Sequence, residues 1–165
     1  MRIILLVVGI GAGVGILWFA YYALSPLFIN LRVDEALPQS MQPQTHTEYE
    51  KLESASAIVV GTAGHPASGT ARLVETDGKV YVRYENFKTI NGPDIYVYLA
   101  KDLKAKEFID LGEVRATEGN VNYEVPEGVS ISEYRYVLTW CKQFGVLFNY
   151  ADLTSGDAGF PSASN

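Results

Sequence analysis

The sequence predicts an all-β fold, a small antiparallel sandwich or barrel, preceded by one transmembrane α-helix. Three observations predict it. An uncharged apolar run opens the chain. Short alternating runs with turn signals fill residues 57–153, and a polar stretch rich in Pro, Gln and Ser separates the two. The 165 residues suit one modest domain with accessories, and fall well short of the roughly 250 that a TIM barrel needs.

The apolar run comes first. Ile3 to Leu24 holds no charged residue and no Asn, Gln, Ser or Thr. As a helix it would reach about 33 Å, enough for a hydrocarbon core of about 30 Å. Trp18, Tyr21 and Tyr22 cluster at its far end, where amphipathic rings favour the membrane interface. Ser25-Pro26 offers the helix exit. The run exceeds the usual signal-peptide core of about 7–15 residues and lacks a clean Ala-x-Ala site, so residues 3–29 read as an uncleaved anchor. Arg2 and the terminal amine place the N-terminus in the cytoplasm by the positive-inside rule, and the rest of the chain outside the cell membrane. Gly9 to Gly15 fails the Gly-x-Gly-x-x-Gly nucleotide pattern in both frames. Gly9/Gly13 and Gly11/Gly15 do have the spacing that lets membrane helices approach, so helix-mediated self-association is one expectation and lipid contact another.

Residues 33–56 carry Pro38, Pro43, several Gln and Ser and scattered acids, and read as a flexible stalk with a short helix over Thr47–Ser54. Thr154 to Asn165 reads as a fraying tail. Between them the period changes to two. Expected strands cover Ala57–Gly61, Gly69–Glu75, Lys79–Phe87, Ile95–Leu99, Phe108–Leu111, Asn120–Val125, Tyr134–Lys142 and Phe144–Tyr150. Asp77-Gly78 is a strong hairpin signal, and Asn91-Gly92-Pro93-Asp94 and Pro126-Glu127-Gly128 are turns.

Charge and cysteine content exclude several function classes. Thirteen basic against nineteen acidic residues give a net charge of −6, which disfavours a nucleic-acid surface. A single cysteine excludes an intrachain disulfide, a Cys-x-x-Cys pair and a c-type haem motif. A blue-copper centre needs two His and one Cys, usually with an axial Met. Here His46 and Met41 lie in the stalk and no His follows Cys141, so no metal centre is expected. No Gly-x-Ser-x-Gly or His-Glu-x-x-His occurs, and enzymatic activity stays open.

Cys141 is the residue of greatest interest. In the alternating strand it shares a face with Arg135, Val137 and Thr139, opposite Tyr134, Tyr136, Leu138 and Trp140. That face is the more polar one, and Arg135 and the adjacent Lys142 are cations of the kind that favour a reactive thiolate. The alternative is an inert core cysteine, since free Cys is among the most buried residue types. His65, in a glycine-flanked loop, is a candidate ligand or proton relay, or simply a loop histidine bonded to backbone. Tyr81, Tyr96 and Tyr98 read as core under a loop or neighbouring sheet rather than as a contact surface.

From Ile58 to Leu153 the chain resembles the DM-thirteen domain, the small β-rich module associated with DOMON domains. The resemblance is carried by Gly61, His65 and Gly69; Asn86-Phe87; Gly92-Pro93-Asp94 before Val97-Tyr98-Leu99; Leu111-Gly112; Gly119 and Tyr123; Tyr134, Val137 and Trp140-Cys141; and Phe144, Val146, Phe148 and Ala151-Asp152-Leu153. Thr62-Ala63 stand where the family pattern expects an aromatic. The resemblance implies an extracytoplasmic β-sandwich for electron transfer. It implies that Cys141 acts in redox chemistry, as a free thiol or as ligand of a haem-like group, with His65 and Trp140 beside it and a redox partner protein. Thiolate ligation of haem iron and thiol cycling through sulfenic acid or an intermolecular disulfide are both chemically open. The competing class is a non-catalytic interaction module with a structural cysteine.

Overall fold

The computed structural model describes residues 2–25, 29–38 and 55–154. Helix α1 spans Arg2–Leu24 and ends where Ser25-Pro26 was expected to end it. None of its Leu6–Leu24 span is buried, and among the described residues it is the one helix long and apolar enough to cross a membrane. The rings of Trp18 and Tyr22 stack at 6.1 Å near its C-terminal end. A Cβ at Gly9, Gly11, Gly13 or Gly15 would meet nothing within 4 Å, so the glycine strip lies open.

The rest is mostly β: one nine-stranded sheet curled into a half-barrel. Its strands are β1 (Arg32–Asp34), β2 (Ala57–Gly61), β3 (Ala67–Thr76), β4 (Lys79–Thr89), β5 (Ile95–Ala100), β6 (Phe108–Glu113), β7 (Glu118–Glu124), β8 (Tyr136–Cys141) and β9 (Val146–Asp152). Their order across the sheet is β1-β7-β4-β3-β2-β9-β8-β5-β6. All neighbours are antiparallel except β1 and β7. The eight expected strands are all present. Alternation made them legible because one side of each strand faces the core. Asp77 and Gly78 take φ of 51° and 72°, the two positive values that a tight two-residue hairpin requires.

The ninth strand, β1, is the main departure in the fold. Val33, where a free stalk was expected to begin, is already paired. Arg32, Val33 and Asp34 lie in parallel register with Glu118, Gly119 and Asn120. Leu31 N–H donates to Thr117 Oγ1 at 2.8 Å, and Thr117 N–H donates back to Leu31 O at 2.7 Å. Glu35 carries most of the side-chain attachment. Its carboxylate accepts from the Asn122 backbone N–H (2.8 Å), the Asn122 side-chain amide (3.0 Å) and the Arg115 guanidinium (2.7 Å). Arg83, almost fully buried, donates to the Glu35 and Ala36 carbonyls. Residues 39–54, with the helix expected over Thr47–Ser54, lie outside the described residues, as does the tail from 155 onward.

The concave side of the sheet holds the core. Tyr84, Phe87, Val97, Leu99, Val121, Val137 and Ala151 are within 2 % of complete burial there. A second, smaller cluster on the outer side joins Tyr98, Ala100 and Leu138, with Leu103 and Ala105 from the β5–β6 loop packed against it. Tyr98 stacks on Phe108 at 4.1 Å, so it packs as core beneath that loop, as expected.

Ion pairs lock the outer rim. The Arg135 guanidinium donates to both carboxylate oxygens of Asp152, and Thr154 adds two more donors. These bonds hold the Asp152 carboxyl well below its ordinary value, at about 2. A carboxyl lowered on folding stabilises above its unfolded pKa of about 3.9, and that stabilisation is lost as pH falls through the folded value. Asp152→Asn should therefore lower stability at neutral pH by under about 1 kcal/mol, since the pair is partly exposed. The difference from the wild type should shrink between about pH 4 and pH 2. Denaturant unfolding at each pH checks this.

Candidate functional site around Cys141

Cys141 is the last residue of β8, where the strand enters the turn to β9. Its register partners are Ile95 on β5 and Val146 on β9. The side chain is 1 % exposed and belongs to the concave core with Val137. This corrects the expected polar face: Val137, Thr139 and Cys141 point inward, and Arg135 precedes the strand. Neither expected cation serves the sulfur. Arg135 is held by Asp152, while Lys142 Nζ lies 3.4 Å from Asp110 and 4.4 Å over the ring of Tyr96. The Cys141 Sγ–H donates to the Pro93 carbonyl at 3.2 Å.

The Gly92-Pro93-Asp94 turn thus covers the thiol, and its shape depends on its neighbours. Asp94 takes φ of 58°. Gly92 packs so closely on the ring of Phe148 that an added Cβ would lie 2.8 Å from it. Phe148 is the extra residue of a bulge, because the β8–β9 register jumps from Thr139↔Asn149 to Trp140↔Leu147. Bulges re-aim side chains. Here Phe148, 6 % exposed, joins the core cluster that contains Cys141.

His65 stacks on the other side of this arrangement. Its ring lies 4.1 Å from Phe148, and its Nδ1 lies 3.2 Å from Thr62 Oγ1. Thr62 Oγ1 in turn donates to the Leu147 and Phe148 carbonyls at 2.7 and 3.0 Å. So the fold brings Cys141 and His65 to one end of the barrel, with Phe148 and the Gly92–Pro93 turn between them. Trp140 is not part of this group. It is partly buried on the outer side, beside Tyr96 and Leu147, on the opposite face of β8.

A haem-like group does not fit the residues as they stand. The thiol is buried and bonded to a backbone carbonyl, and Phe148 fills the space between His65 and Gly92. The cavity nearest the covering turn has about 240 Å³ and is lined by Tyr22, Asn91, Gly92, Asp94, Ile95, Glu113 and Val114. Two carboxylates make it a poor seat for an apolar macrocycle. No cluster of three or more His, Cys, Asp or Glu able to hold a metal occurs among the described residues.

Sequence reasoning missed a buried polar set beside this site. Thr139 and Asn149, opposite each other on β8 and β9, are completely buried, and the Asn149 side-chain amide donates to Thr89 Oγ1 at 3.0 Å. Tyr84 is also completely buried, and that burial pushes its phenol far above the ordinary value. A Thr and an Asn on otherwise apolar strands were the available signal.

A family model described as electron transfer DM13 matches residues 59–153, more than half of the chain. The chain belongs to the electron-transfer DM13 family. The matched DM13 region runs from β2 to just past β9 and so contains both His65 and Cys141. No curated protein and no solved structure matches.

Proposed function

We propose that this DM13 protein is a membrane-anchored, extracytoplasmic redox module in which Cys141 acts as a free thiol. The observation that carries the reading is the placement of the chain's only cysteine in the electron-transfer domain, beneath a turn that holds it by a single hydrogen bond. α1 supplies the anchor, and His65 stacks on Phe148 at the same end of the barrel. The Gly92–Asp94 turn covers the thiol and its Pro93 carbonyl accepts from it, so Cys141 reacts when that turn lifts. Thiolate, not thiol, is the nucleophile. With one cysteine per chain, any disulfide joins a second molecule. In exchange with a disulfide of a redox partner, the Cys141 thiolate attacks one partner sulfur, the partner's S–S bond breaks, and the partner's other sulfur leaves as a thiolate.

The expected result is slow, turn-limited alkylation of Cys141 in the folded protein, faster than global unfolding. Loosening of the turn by Pro93→Gly should raise the rate by about tenfold or more, corresponding to about 1.4 kcal/mol of easier opening. Alkylation that occurs only with global unfolding would sink the redox role of Cys141. A specific observation favours the second reading in that event: at 1 % exposure in an apolar core, Cys141 has the environment of a structural cysteine in an interaction module.

A further inference from the structure

Among the described residues, the registers sort the loops of the barrel to one of two ends. β4 runs from Lys79, paired with Thr76, to Thr89, paired with Ala67. The Lys79 end carries the Asp77-Gly78 turn. The Thr89 end leads into the Gly92–Asp94 turn over Cys141. The other strands agree. Lys88 pairs with Glu118 and Tyr81 with Glu124, while Cys141 pairs with Val146 and Tyr136 with Asp152. The 11 residues of β4 set the two ends roughly 33 Å apart.

The chain enters from α1 at the Cys141 end. The Asn91 amide donates to the Ile29 carbonyl at 3.1 Å, and Leu31 is bonded to Thr117. From Leu24, the last residue of α1, to the docked Ile29 is an interval of five residues, a reach of at most about 18 Å. That is little more than half the length of β4. Near the helix end, the Tyr22 hydroxyl donates to Gln143 Oε1 at 2.8 Å, in the β8–β9 turn just after Cys141. The same end exposes three large apolar side chains: Phe144 (47 %), Ile29 (51 %) and Leu31 (40 %).

We propose that the Cys141 end of the barrel rests on the lipid headgroup layer, with the β8–β9 turn and residues 29–31 as its contact surface. This rests on the reading of α1 as a membrane anchor. Burial of Phe144, Ile29 and Leu31 at an interface gives their exposed apolar area a partner. It also places the Gly92–Asp94 turn within the membrane plane. Whatever reaches Cys141 then approaches along the lipid surface, and the Asp77-Gly78 end faces bulk water.

The test uses the full chain in phosphatidylcholine vesicles. Single nitroxide labels are placed by Phe144→Cys or Asp77→Cys, each combined with Cys141→Ser. Relaxation by a water-soluble nickel chelate is then compared with relaxation by oxygen. The expected result is loss of most nickel access at position 144, with oxygen access retained, and full nickel access at position 77. Equal nickel access at both positions, in chains that float with the vesicles, overturns the proposal. Failure to float instead overturns the anchor reading. Gln143→Cys supplies a second probe of the same turn if Phe144→Cys does not fold.

Discussion

Gly119→Ala should detach β1, the strand that follows α1, and lower the stability of the domain by about 3 kcal/mol. Gly119 lies in β7 between β4 and β1, at φ of 114°. An L side chain there is strained by roughly 1–2 kcal/mol, and its Cβ would run into the Val33 carbonyl. Relief means moving β1 away, which disturbs hydrogen bonds worth about 1 kcal/mol each. The Glu35 carboxylate, with three donors in place, would lose its register as well. Urea unfolding measures the loss. Amide exchange at Glu35, whose N–H donates to the Asn120 carbonyl, locates it. Protection at that amide unchanged from the wild type would count against detachment of β1.

Phe148→Ala should have an effect at least as large, about 3–5 kcal/mol by the usual cost of removing a buried aromatic ring. The ring is a joint as well as filler. It stacks on His65 and is packed against Gly92. Without it, the Gly92–Asp94 turn loses its support, and with it the Pro93 carbonyl that holds the Cys141 thiol. Alkylation of Cys141 should accelerate more than unfolding does, because the cavity opens beside the covering turn. Equal acceleration of both would mean that Phe148 stabilises the domain without guarding the thiol.

The residues that were legible in the sequence are those whose environment is set locally. The strand runs announced themselves by alternation, and Asp77-Gly78 by its turn chemistry. The inward position of Cys141 was obscured because β8 is buried on both sides over Val137, Leu138 and Thr139. With Thr139 inside and Trp140 only partly covered outside, polarity no longer marks the core face. The Phe148 bulge was illegible for a related reason: an extra residue between two strands leaves no period in either. β1 was hidden because its three residues carry no pattern of their own. Their order comes from partners far along the chain. His65 was visible as a histidine in a glycine-flanked loop, but its ring stacking needed the bulge.

The distance along the chain between Leu31 and Thr117 has a consequence for synthesis. The two residues are 86 positions apart. At about 5–20 residues per second, the segment before β1 is made roughly 4 to 17 seconds before its partner. During that interval α1 and the segment behind it exist without a barrel. When β7 forms, its free edge is an open template for any passing strand. The tethered β1 is the nearest candidate at high effective concentration. β1 therefore waits on the chain as a ready-made cover, delivered to the β7 edge as soon as that strand is made.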